Sequence, residues 1–299
     1  MRSPNRTHER ETFCKYMSTS TAQAVLRHGT LRWSSPTLFN DPFDVPRELS
    51  FGISPEEIVR ALARRMTALI VEPPEDTSDL EPKVRLIVET VKRGVSTELR
   101  AELLAGLDES AETHRPTGES MEALRQMWRS WLPDFRILCL TESPAHAAMW
   151  YHYADKYCGV VIELRCDDAL DSAWLAARPV TYPPQKPAVY TADGWAELLT
   201  SSHGIALNRL LDTATYTKAP DWSYEHEWRI TSFKRPSDTG PFTDYRFSPP
   251  ELSTIYFGPN VSPEDRATIS ALSRHYTDVR LVNVSIGMNR EFAFARADD

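Results

Sequence analysis

The chain has no apolar run approaching the roughly 18 residues that a membrane-spanning helix requires. Its first eleven residues are polar and mixed in charge, with no apolar core of a signal peptide. Both absences point to a soluble, cytoplasmic protein with no membrane partner. There is no Walker sequence, no G-x-G-x-x-G and no G-x-S-x-G, which excludes the commonest NTPase, dinucleotide-fold and hydrolase signatures. The four cysteines, Cys14, Cys139, Cys158 and Cys166, form no C-x-x-C pair. Cys139 and Cys158 lie in apolar contexts and read as reduced core thiols, not as a disulfide frame or a zinc site. No metal signature stands out. The net charge of −8 gives no broad basic face, so general nucleic-acid binding is not expected.

What is present suits one large mixed domain. Apolar residues make up 41% of 299, enough for a sizeable core. Residues 1–12 read as a disordered N-terminus and 13–299 as a single α/β domain of mixed α+β type. Strands are expected over 13–17, 30–35, 135–141, 160–165, 180–182, 225–233, 252–257, 279–285 and 291–295. Helices are expected over 21–27, 143–156, 195–212 and 263–276. Ser18 to Ser20 offer caps to the first of these, and Gly29 stops it. Ser143 and Pro144 would open the second. Between about 55 and 131 the periodicity turns helical, through Ile58, Leu62, Met66 and Ile70, then Val84, Ile87, Val88 and Val91. It continues through Leu99, Leu103 and Leu107 to Met121, Leu124 and Trp128. This reads as a helical insertion of four or five helices.

Three segments hold more polar and aromatic residues than a core needs: Trp33 to Asp44, Met149 to Gly159, and Trp222 to Arg229. Phe39-Asn40-Asp41-Pro42-Phe43-Asp44, Met149-Trp150 followed by Tyr153-Ala154-Asp155, and Trp222-Ser223-Tyr224-Glu225-His226-Glu227-Trp228-Arg229 stand in that order. Together they resemble a bacterial family known as domain of unknown function 2971, over roughly residues 13 to 258. That family name carries no activity.

The chain also resembles, more distantly, the ADP-ribosyltransferase superfamily. Lys15-Tyr16, the helix to Arg27, Gly29, Trp33-Ser34-Ser35 and Glu225-His226-Glu227 follow that superfamily's order, and 141–164 resembles its strand–helix–strand centre. Lys15-Tyr16 departs from the Arg or His of its first strand. The resemblance implies a central mixed sheet of that type and NAD as a substrate, with a bacterial toxin or phage-defence effector as the setting. Cleavage of the nicotinamide–ribose bond passes through an oxocarbenium-like state, as glycoside cleavage does, and a carboxylate facing that charge lowers the barrier. By that resemblance Glu227 would take that role. Glu225, two residues away on a strand and so on the same face, would orient water or an unknown macromolecular acceptor. Ser34 or Ser35 would support Glu227, Tyr153 or Trp150 would stack on nicotinamide, and Lys15 would meet the pyrophosphate beside Tyr16.

Plainer readings accompany each residue. Glu225, Glu227 and Arg229 also suit a solvated ladder of ion pairs. The turn at Asn40 to Asp44 suits a capped loop with Phe39 and Phe43 plugged into the core; otherwise Asn40 or Asp44 lines the cleft. Trp150 and Tyr153 suit core positions. Two further functions fit the same residues. One is a metal-dependent nuclease or phosphodiesterase, with Asp41, Asp44, Glu225 and Glu227 as oxygen ligands. The other is a non-catalytic module whose aromatic cleft holds a nucleotide or peptide.

Overall fold

The computed structural model describes residues 2–47, 53–113, 118–185, 191–289 and 291–297. The chain is a mixed α/β protein built on a ten-stranded mixed sheet. It divides into two compact units: Met1–Asn40, Leu132–Thr181 and Pro220–Asp299 form the first, and Asp41–Trp131 with Tyr182–Ala219 the second.

The first unit carries the sheet. Its strands are β1 (Thr12–Met17), β2 (Thr30–Ser34), β3 (Phe135–Thr141), β4 (Val160–Arg165), β5 (Arg178–Pro179), β6 (Glu227–Phe233), β7 (Phe242–Arg246), β8 (Leu252–Phe257), β9 (Arg280–Ile286) and β10 (Phe292–Arg296). One arm runs β10-β9-β8-β4-β1, and only β8 and β9 within it are parallel. A second arm is β2 with β7. β3 joins them. One of its edges pairs β6 along its whole length, from Phe135↔Phe233 to Thr141↔Glu227. The opposite edge touches β1 at Cys14↔Thr141 and β2 at Ser34↔Ile137. The sheet therefore opens between β1 and β2, at the strands that carry the candidate residues.

Each face has its own cover. Phe13, Met17, Leu138, Leu140, Ile162 and Ile255 pack under α1 (Thr19–His28) and α9 (Pro263–Ser273). Full burial of such side chains contributes about 1.5–3 kcal/mol each. α1 forms as its sequence dictates: Ser18 accepts from the Thr21 N–H, and Gly29, at φ +60°, donates to the Val25 carbonyl. The other face packs Cys14, Tyr16 and Val161 against Met149 and Trp150 of α6 (Ala147–Tyr153).

α6 is shorter than the helix expected over 143–156. The Tyr16 hydroxyl donates to the Ser143 carbonyl and accepts from the His146 N–H, so residues 143–146 stay outside the helix. At the other end Asp155, Lys156 and Tyr157 all have positive φ, a conformation costing roughly 1–2 kcal/mol per residue. The turn they form brings Gly159 against β1. A Cβ on Gly159 would lie 2.3 Å from the Met17 carbonyl oxygen, so only glycine fits there.

Three other expectations change. The N-terminus is not loose: Arg6 forks onto Asp168, the Thr7 N–H donates to the Leu175 carbonyl, and Ser3 and Asn5 bond Asp171. Cys158 is exposed and Cys139 partly buried, whereas Cys14 and Cys166 are buried; all four thiols are unpaired. β7, which sequence periodicity passes over, pairs with β2 through five residues. Beneath it the fully buried Arg136 guanidinium donates to Thr243 and to the carbonyls of Pro133, Phe135 and Gly240. Those bonds satisfy a charge that would otherwise be costly to bury.

The second unit is helical. α2 (Pro55–Val71) opens with a reciprocal capping box between Ser54 and Glu57. It packs with α4 (Thr97–Thr113) and α7 (Ala192–Thr200). α3 (Pro82–Lys92) buries Val88 and Val91 but leaves Ile87 exposed, α4 buries none of Leu99, Leu103 and Leu107, and α5 (Gly118–Trp131) buries Trp128. The side chains of Met121 and Leu124 lie outside the described residues. The unit includes 182–219 as well as the insertion expected from the sequence. The single helix expected over 195–212 is two, α7 and α8 (His203–Tyr216), because Ser201 pairs with Leu80 and the Ser202 N–H donates to the Asp79 carbonyl. Among the described residues no helix is long and apolar enough to cross a membrane.

Candidate functional site

Residues directly opposite in an antiparallel pair share a face. The β3–β6 register therefore sets Thr141 beside Glu227 and Cys139 beside Arg229 on one face. Glu227 is 5% exposed and Arg229 is 0% exposed. Arg229 donates from Nε to Glu227 Oε1 at 2.8 Å and from Nη2 to Oε2 at 2.9 Å. Such a two-pronged fork fixes the carboxylate in orientation as well as in charge. The Arg229 guanidinium also lies over the Phe39 ring, 5.5 Å from its centroid.

Glu225 does not reach this cluster by strand alternation. It ends a 3₁₀ turn over Pro220–Glu225, and His226 has φ +43°. β6 begins only at Glu227. The Glu225 carbonyl accepts from Thr141 Oγ1 at 2.6 Å, and its carboxylate oxygen Oε1 accepts from the Tyr153 hydroxyl at 2.5 Å. Glu225 is 2% exposed. With three charged side chains this deeply buried, the solvated ladder suggested by the sequence does not describe them.

Lys15 enters from the opposite edge of β3. Its ammonium donates to the Cys139 carbonyl at 2.9 Å, across the gap where β1 and β3 share a single residue pair. Desolvation holds the Lys15 pKa below its ordinary value, against the opposing pull of Cys139 and Glu227. Burial, followed by the charge of Glu225 and its hydrogen bond, raises the Tyr153 phenol. Tyr153 therefore remains a proton donor to Glu225. Burial and then Glu227 raise the Cys139 thiol, which leaves it un-ionised and weakly nucleophilic.

The structure thus brings together Lys15, Tyr153, Glu225, Glu227 and Arg229. It gives other candidates structural work. Ser35 donates its hydroxyl to the Leu132 carbonyl, so that proton is not available to Glu227. Ser34 sits where β2 meets both β3 and β7. Trp150 is wholly buried, with its indole N–H on the Pro144 carbonyl and its ring edge-on to Tyr16, and presents no open face for stacking. Asn40 is exposed. Asp44 is buried in the second unit, 3.4 Å from the Lys218 ammonium, and Asp41 caps the Phe43 N–H. Phe43 is 83% exposed rather than plugged into a core.

Sequence reasoning missed Thr141, Cys139 and His226. Thr141 and Cys139 follow from strand register, which one sequence does not display. The imidazole of His226 lies 5.2 Å from that of His146, centroid to centroid. Among the described residues no three His, Cys, Asp or Glu side chains converge to hold a metal ion.

One family comparison bears on this segment. Residues 149–230 match the model of a family described as a protein of unknown function, DUF2971. That stretch is shorter than half the chain, and it contains Tyr153, Glu225, Glu227 and Arg229. It does not extend to the Phe39–Asp44 segment. No curated protein and no solved structure matches the chain.

Proposed function

We propose that this protein cleaves the nicotinamide–ribose bond of NAD and passes ADP-ribose to a macromolecule or to water. The observation that carries the reading is the buried carboxylate of Glu227, gripped through both oxygens by the Arg229 fork on β6. Next to it is a second buried carboxylate, Glu225, tethered to Tyr153. Burial of charges costs several kcal/mol per ion, and apolar replacements of equal volume often serve stability better. A cluster of this kind suits chemistry better than scaffolding.

In the proposed reaction the C–N bond to ribose breaks and its electron pair leaves with nicotinamide. Positive charge then develops on the ribose. Glu227 faces that charge in surroundings of low dielectric, where a fixed carboxylate stabilises it more than in water. Glu225 takes the proton of the incoming acceptor, and the Tyr153 ring forms the wall beside nicotinamide. Lys15, resting on the Cys139 carbonyl, contributes positive charge near Glu227 and tempers the electrostatic burden of the two carboxylates. The setting of a bacterial toxin or phage-defence effector rests on resemblance to ADP-ribosyltransferases.

A second reading, a nucleotide-binding module without turnover, draws on the engagement of Lys15, Tyr16 and Ser35 within the protein. The metal-dependent alternative draws less support, because Glu227 is already forked by Arg229. The deciding experiment quantifies free nicotinamide after incubation of the purified protein with NAD, with and without cell extract as acceptor source. Release supports the transferase or glycohydrolase, and its absence favours the binding module.

A further inference from the structure

Beyond α6, the same face of the sheet opens into a groove of about 620 Å³ over β8, β9 and β10, rimmed by residues 143–145. This volume lies within the ~300–1,000 Å³ usual for small-ligand sites. Register aligns its floor: Thr254 is opposite Arg280, Tyr256 opposite Val282, and Val282 opposite Arg296. Arg280 and Arg296 are therefore diagonal neighbours on adjacent strands. The rings of Tyr256 and Phe294 meet edge to face, with centroids 5.8 Å apart.

Glu163 lies at the base of the groove and is turned inward. It accepts from Ser253 Oγ at 2.7 Å, Thr254 Oγ1 at 3.2 Å and the Tyr256 hydroxyl at 2.8 Å. Its carboxylate thus braces the floor. Arg280 approaches Glu163 to 3.7 Å and donates to Thr254 Oγ1, yet its side chain is 65% exposed. Among the described residues the exposed Arg296 guanidinium makes no hydrogen bond or ion pair. One partly buried carboxylate against two guanidinia leaves an excess positive charge in a protein whose net charge is −8.

We infer that this groove binds a nucleoside phosphate, with the phosphate between Arg280 and Arg296 and the base against Phe294. Guanidinia hold phosphate oxygens through paired, charge-assisted hydrogen bonds. Phe294, 43% exposed, offers a ring surface that inorganic phosphate could not use. The groove's size and its aromatic wall together favour a nucleotide over a bare anion. This inference stands apart from NAD cleavage, since no groove residue belongs to the Glu225–Glu227 cluster.

The test is equilibrium dialysis of the full chain with AMP and with inorganic phosphate, repeated for Arg296→Gln and Phe294→Ala. Both residues are exposed, so these variants are expected to keep the wild-type fold, which thermal unfolding checks. Wild type should hold AMP more tightly than phosphate. Arg296→Gln should weaken AMP binding about tenfold or more, the loss expected for a charged hydrogen-bond donor, and Phe294→Ala should weaken AMP but not phosphate. No AMP binding by wild type, equal binding of phosphate and AMP, or AMP binding unchanged in both variants overturns the inference. Nicotinamide release is read separately, so either proposal can fail while the other stands.

Discussion

The Tyr153 hydroxyl donates to Glu225 Oε1 at 2.5 Å, joining the last residue of α6 to the residue before the left-handed His226. This bond couples the turn that ends α6 to the strand carrying Glu227. Tyr153→Phe removes it while keeping the ring. The expected loss in urea-denaturation stability is about 1–3 kcal/mol, the usual penalty when a buried polar group loses its donor. NAD cleavage should fall as well, because Glu225 is released from its fixed position. A variant as stable and as active as wild type would remove Tyr153 from the account.

Glu227 and Arg229 form a second testable pair. Glu227→Ala takes the forked carboxylate from a buried guanidinium, and Arg229→Met takes the forked guanidinium from a buried carboxylate. Each should cost about 3–5 kcal/mol. The double variant should cost much less than their sum, and a double-mutant cycle on chemical denaturation measures the difference. Simple additivity would mean that the fork contributes nothing to holding either charge.

Gly159 tests the packing that carries α6 back to the sheet. Gly159→Ala places a methyl group 2.3 Å from the Met17 carbonyl oxygen, and backbone must move to admit it. Overpacking of this kind costs typically about 1–3 kcal/mol. Thermal unfolding should show the loss. An unchanged midpoint would show that the turn from Asp155 to Tyr157 yields without cost.

Acidification tests the histidine pair. Desolvation first, and then the neighbouring His226, lower the His146 pKa below its ordinary value of 6.5. The unfolded chain therefore binds a proton at a pH where the folded protein does not, and stability rises with pH in that interval. The contribution of His146 is whole above pH 6.5, declines as pH falls below it, and levels off once the folded imidazole is protonated. Urea denaturation between pH 8 and pH 5 should show a steeper loss in wild type than in His146→Asn. Parallel profiles would contradict it.

Most of the sheet was legible because its strands advertise themselves locally. Phe135 to Thr141, Val160 to Arg165 and Leu252 to Phe257 are apolar runs with clear stops, and each is a strand with those bounds. The helices expected over 55–131 also form, although α4 buries none of Leu99, Leu103 and Leu107. What escaped depends on distant contacts. The non-helical path of residues 143–146 is imposed by Tyr16, the break at Ser201 by Leu80, and the strand at Phe242 by β2. The acidic segment was recognised, but its burial and the Arg229 fork come from pairing with β3. His226, whose positive φ sets Glu225 apart from the strand, gave no sign of this in the sequence.

The most direct test of the account compares nicotinamide release from NAD by wild type and by Glu227→Gln, side by side, at a temperature where circular dichroism shows both to be folded. The account predicts release by wild type that falls at least about a hundredfold in the variant, in line with loss of one preorganised electrostatic group. No release by wild type, with or without cell extract as acceptor source, or equal release by the two proteins, would contradict it.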